Sequence, residues 1–163
     1  MATIALNQGK TLRPTRGGNT TIPYLVEFTL DLAKAATAKG SALAAGDVIK
    51  TVDLPAHSII WGAGFEVLSQ MTGSSTDATV DLGVTGIDPD VYVDGFDLDA
   101  GTVGTYSQFP AAYQPITIGG TASTLDLLIA TQTGTITGGK LRIFAVVQDV
   151  KDRVDGLLAA LKS

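Results

Sequence analysis

The sequence predicts an all-β protein: an antiparallel β-sandwich, jelly-roll-like, with an extended N-terminal arm and a short C-terminal helix. Three observations carry this. Several short segments alternate apolar and polar residues with a period of two, as strands with one buried face do. Glycine, at 19 of 163 residues, and abundant threonine favour turns and strands over long helices. Apolar residues make up 45% of the chain and charged ones only 17%, which suits one core in a chain of single-domain size.

Residues 1–22, "MATIALNQGKTLRPTRGGNTTI", show no sustained period and contain Pro14, Gly17 and Gly18, so they read as the arm. Residues 23–148 read as the sandwich. In "PYLVEFTLDLA", Val26, Phe28, Leu30 and Leu32 alternate with Glu27, Thr29 and Asp31, giving the first core strand. The alanine-rich "KAATAKGSALAAG", bracketed by Gly40 and Gly46, has side chains too small to anchor a core helix and reads as a loop. Strands follow at Asp47 to Leu54 and Ser58 to Gln70, separated by Pro55, which cannot donate to a ladder.

In the second of these, Ile59, Trp61, Ala63, Phe65 and Val67 share one face by simple alternation. Gly62 and Gly64 on the other face suggest a bend or the close approach of another backbone. "ATVDLGV" directs Ala78, Val80, Leu82 and Val84 inward. "QPITIGG", "STLDLLIATQ" and "KLRIFAVVQDV" complete seven or eight short strands, with turns such as "TGTITGG" between them. Residues 149–163 read as an amphipathic helix. Its seam, Val147, Val150, Val154, Leu157 and Leu161, has heptad spacing and needs a surface, either its own sandwich or a symmetry mate.

Charge is distributed unevenly around a net of −5. Lys10, Arg13 and Arg16 precede any acid, whereas the stretch between Lys50 and Lys140 has ten acidic residues and no Lys or Arg. An acidic body repels phosphate backbones, so nucleic acid is not an expected ligand. No apolar run reaches membrane-spanning length and the opening lacks a secretion signal, so the chain is expected to be soluble and unexported.

Chemistry has few carriers. Without cysteine, thiolate, disulfide and redox roles fall away. His57 is the only imidazole, and "LPAHS" around it holds no nucleophile elbow, so a structural histidine is expected and no catalytic residue is assigned. "GKT" at Gly9 lacks the glycine-rich loop of a phosphate cradle. No cofactor is expected. The acidic run "GIDPDVYVDGFDLDAGT" fails as an EF-hand loop, with Tyr92 where a third oxygen belongs and no closing glutamate. It is expected to be a solvated connection. An irregular calcium site at Asp94, Asp97 and Asp99 is a weaker reading, and contact with a basic surface a third. Tyr92, Phe96, Tyr106, Phe109 and Tyr113 nearby give the region the look of an interface.

"LAAGDVIKTVDLPAHSIIWGAGFEVLSQ", then "DATVDLGVTGIDPDVYVDG" and a closing "GKLRIFAVVQDV", resemble the head decoration (cement) proteins of tailed bacteriophages over about residues 20–150. The resemblance implies a non-enzymatic sandwich, made in the host cytoplasm and carried on the outer capsid surface of the virion. It implies a homotrimer that staples adjacent subunits of the major capsid protein, with the arm, and so Lys10, Arg13 and Arg16, as the capsid ligand. The alternatives are a calcium-assisted carbohydrate-binding or adhesin-like sandwich, or another virion part such as a head-fibre base or tail protein.

Overall fold

The computed structural model describes residues 2–6, 22–84, 86–109, 113–150 and 161. Its strands are β1 (Thr3–Ala5), β2 (Tyr24–Asp31), β3 (Val48–Leu54), β4 (Ser58–Gly73), β5 (Thr79–Val84), β6 (Asp88–Asp97), β7 (Ile116–Ile118), β8 (Ser123–Thr131) and β9 (Ile136–Asp149), with one helix, α1 (Leu32–Lys39). They form two sheets, ordered β1-β3-β8-β5-β6 and β2-β9-β4-β7.

The antiparallel pairs β2–β9, β3–β8, β4–β7 and β5–β6 nest one inside another, as if one long hairpin had been folded across two layers. That nesting is the jelly-roll topology the alternating pattern predicts. Both inner faces supply the core: Leu30, Ile60, Phe65, Ile143 and Val147 from one sheet, Leu82, Tyr92 and Leu127 from the other, all fully buried. Ala78, Val80, Leu82 and Val84 point inward as their alternation requires.

Four local readings are corrected. The alanine-rich segment does not begin as a loop: Leu32–Lys39 is helical. Asp31 caps it, accepting the Ala33 and Lys34 amides, and Gly40 closes it at φ 78°, donating to Ala36 O and Thr37 O. Buried Leu32 and Ala35 anchor it, and Leu32 had been counted with the preceding strand.

The acidic stretch is a strand, β6, rather than a connection. Register shifts between Val80 and Leu82 and between Leu82 and Val84 break the ladder to β5, and Val91, Tyr92 and Val93 are all buried in succession. A bulged strand loses the alternation by which it would be recognised. "TGTITGG" is likewise not all turn, since Ile136 starts β9 and is buried.

In β4, Ile60 pairs with Val147 and Gly62 with Val146, so Trp61 is an extra residue opposite the β9 ladder. The bulge reverses the parity: Ala63, Phe65 and Val67 face the core as expected, but upstream of it Ile60 is buried while Trp61 is exposed. Trp61 thus stands on the solvent side, opposite to the alternation reading.

Both termini of the sandwich also differ from expectation. Within residues 1–22, Thr3–Ala5 pair in parallel with Val48–Lys50, and Ile4 is buried. The start of this segment is part of the sheet. At the other end, β9 continues to Asp149, so Val147 is a core strand residue paired with Tyr24 and Ile60 and not the first position of a helical seam. Val150 extends the ladder by donating its N–H to His57 O at 2.8 Å. Val154 and Leu157 lie outside the described residues, while Leu161 is helical and exposed.

Candidate interaction surface

The outward side of the β2-β9-β4 layer is where apolar side chains meet solvent. Pairing places Leu25 beside Val146, Glu27 beside Phe144, and Glu66 beside Arg142, all on the face away from the core. Trp61, on its bulge, donates its indole N–H to Gln148 Oε1 at 2.6 Å and is 45% exposed. Leu25 is 49% exposed. Strand positions of this kind ordinarily carry polar residues when the face is solvated.

A further stretch of backbone borders this face at the edge of β4. Beyond the short β7, the stretch Gly104–Ser107 takes over the free edge of β4: Gly104 and Ser107 donate to Val67 O and Phe65 O, and Val67 donates to Thr105 O. Ser107 Oγ also accepts the Phe65 amide at 2.9 Å. Glycine at 62 and 64 permits this. A Cβ on Gly64 would stand 2.9 Å from Ser107 Oγ and 3.2 Å from Phe144 Cζ, and one on Gly62 3.3 Å from Phe109 Cζ. The close approach expected from these glycines is met by side chains of this loop and of β9.

The loop brings Tyr106 and Phe109 to the surface, both more than half exposed. Phe109 packs on Tyr113 with ring centroids 4.6 Å apart, and Tyr113 leans on buried Tyr92 at 5.9 Å. The exposed aromatics are therefore backed by the core. Arg142 sits between Glu66 and Glu27, bonded to the first and 3.8 Å from the second. Glu66 beside it raises the guanidinium pKa further above its ordinary value. Its charge is matched in place, so covering the face strands no lone cation.

The remaining residues singled out by sequence fall elsewhere. Lys10, Arg13 and Arg16 lie outside the described residues, between Leu6, which follows β1, and Ile22, which precedes β2. Asp97 Oδ1 accepts the Asp99 and Ala100 amides, and Asp99 Oδ2 accepts the Ala78 amide at 2.7 Å, so both serve the backbone. Asp94 is an exposed β6 residue. Among the described residues no three acidic or histidine side chains are grouped as a metal site.

His57 turns the β3–β4 corner at φ 57°, its N–H donating to Gly119 O, while the neighbouring Ser58 hydroxyl donates to Pro55 O. Among the described residues no helix is long and apolar enough to cross a membrane.

Sequence reading named Tyr106 and Phe109 as interface-like but missed Leu25, Phe144 and Val146. The signal was present: "RIFAVV" is apolar at both parities, which a strand with one wet face does not need.

No family model matches the chain, and no curated protein matches it either. Solved structures do. The chain is similar to a chain in the capsid of Ralstonia phage GP4, at 16% identity and a TM-score of 0.61, covering 90% of this chain and 97% of that one. It is also similar to a chain in the capsid asymmetric unit of the cyanophage Pam1, at 14% identity and a TM-score of 0.57, covering 85% and 94%. At such identities the likeness is one of fold, an all-β sandwich matched almost end to end.

Proposed function

We propose that this protein is a non-enzymatic structural component of a phage virion that decorates the outer surface of the capsid and binds the major capsid protein to stabilise the shell. The observation that carries the reading is the near-complete match of the sandwich to chains found in two phage capsids. The face of Trp61, Leu25 and Phe109 supplies apolar anchors of the kind that dominate protein interfaces.

Lys10, Arg13 and Arg16 are the proposed capsid contacts. Thr3–Ala5 belong to the sheet, so the segment that carries these basic residues is preceded by β1 and followed by β2. Three copies in a homotrimer would add their weak contacts through effective concentration.

The test is reconstitution: purified protein added to undecorated, expanded capsids of the phage that encodes it. The parent protein binds and raises the temperature at which the capsids dissociate. Replacing Lys10, Arg13 and Arg16 together by serine, with β1 intact, abolishes binding. Normal decoration by that variant would remove the basic segment from the reading, and no binding by the parent would overturn decoration itself.

A further inference from the structure

Two apolar features of this chain meet at the same place. One is the outward face built around Trp61, Leu25, Phe109 and Phe144. The other is the tail. Residues 151–163 follow directly from Val150, whose N–H is tied to His57 O beside the Trp61–Gln148 contact. The tail carries Val154, Leu157 and Leu161 at helical spacing, and Leu161, the described residue within it, is helical and 76% exposed. Its own sandwich leaves that position of the seam in water.

Direction explains why. β9 runs from the Arg142 end of the face toward the Trp61 end and continues past it. To lie on its own face the chain would have to reverse immediately after the Val150 hydrogen bond. Lengths agree as well. Thirteen residues in helical form span about 20 Å, and the five-residue step along β4 from Trp61 to Glu66 covers about 17 Å.

We propose that the outward face of β2, β9 and β4 receives residues 151–163 of a second copy of this chain. Trp61 is the aromatic anchor, and Val154, Leu157 and Leu161 are the seam that covers it. Tail and face are different surfaces, so the contact is heterologous; we take its rotation to be one that closes a ring of copies rather than an open filament. Arg142 lies against Glu27 and Glu66, so an apolar helix on this face strands no lone cation. The proposal deepens the trimer element of the decoration reading, but its test uses no capsid, so either can fail alone.

The experiment measures mass in solution by light scattering for the full chain, for Trp61→Ser, and for a tail variant, Leu157→Ser with Leu161→Ser. Circular dichroism confirms the fold of each. The full chain is expected to be a small closed oligomer and both variants monomers. An equimolar mixture of the two variants is expected to form a heterodimer, one intact tail on one intact face. If Trp61→Ser disturbs the fold, Phe109→Ser, at an equally exposed site, takes its place. A monomeric parent overturns the proposal. So does a Trp61→Ser protein that assembles like the parent while the tail variant does not, because the tails would then be bundling with one another. Two monomeric variants that fail to pair overturn it too.

Discussion

The carboxylate of Asp47 accepts the backbone N–H of Ala2 at 2.9 Å through Oδ1, while Oδ2 takes the Ala44 amide and the Lys39 ammonium. A buried acid at the start of β3 thus holds the beginning of β1 to the end of α1. Burial pushes its pKa up, but the hydrogen bonds from Lys39, Ala44 and Ala2 outweigh it and the net shift is downward. A lowered folded-state pKa stabilises the protein above the unfolded value, about 3.9, and that stability is lost as pH falls through the folded value. Asp47→Asn should therefore cost about 2 kcal/mol or more at neutral pH. The gap from the parent should narrow below about pH 4. Urea unfolding at pH 7 and pH 3 measures both, and equal stability at pH 7 would sever β1 from this carboxylate.

Gly64→Ala should loosen the outer loop. The new methyl would stand 2.9 Å from Ser107 Oγ, which cannot retreat without disturbing its hydrogen bond from the Phe65 amide, and 3.2 Å from the Phe144 ring. We expect a loss of about 1–3 kcal/mol and faster amide exchange at Phe65 and Ser107. Gly119→Ala, where an added Cβ meets nothing within 4 Å, is the control and should be near neutral.

Asp90 behaves oppositely to Asp47. Its hydrogen bond with Asp88, then burial and the charge of Asp88, hold its pKa above the ordinary carboxylate value. Such a group costs stability above its folded pKa, and the cost lifts as pH falls toward the unfolded one. Asp90→Asn should accordingly stabilise the protein by about 0.5 kcal/mol at pH 7 and by nothing near pH 3. Thermal melts at the two pH values decide it. A variant less stable than the parent at pH 7 would overturn this reading of the Asp88–Asp90 contact.

The layered β architecture was legible because alternation survives wherever a strand pairs without interruption, as β2 does along β9. It failed at bulges. One extra residue at Trp61 exchanged the two faces of the first turn of β4, and irregular pairing hid β6 behind three consecutive buried residues. No residue type in "IIWGAG" announces a bulge, because the ladder that creates it comes from β9, some eighty residues downstream. The helix was missed for a local reason: Asp31 is both the last residue of β2 and the cap of α1. The apolar outer face was readable in principle, from strands with hydrophobic residues at both parities. The loop that completes it was not, since Tyr106 and Phe109 reach it only through tertiary pairing with β4.

The nested pairing has a consequence for how the molecule is made. The central strand of one sheet, β9, lies at the far end of the chain from both of its neighbours, β2 and β4. While a ribosome is still short of Asp149, that layer has an open slot and no cooperative core can close, so folding waits for nearly the whole polypeptide and is slow for its size. A protein interrupted before β9 is left as an unfinished sheet for proteolysis, and only molecules that contain β9 acquire the surface by which they could join anything larger.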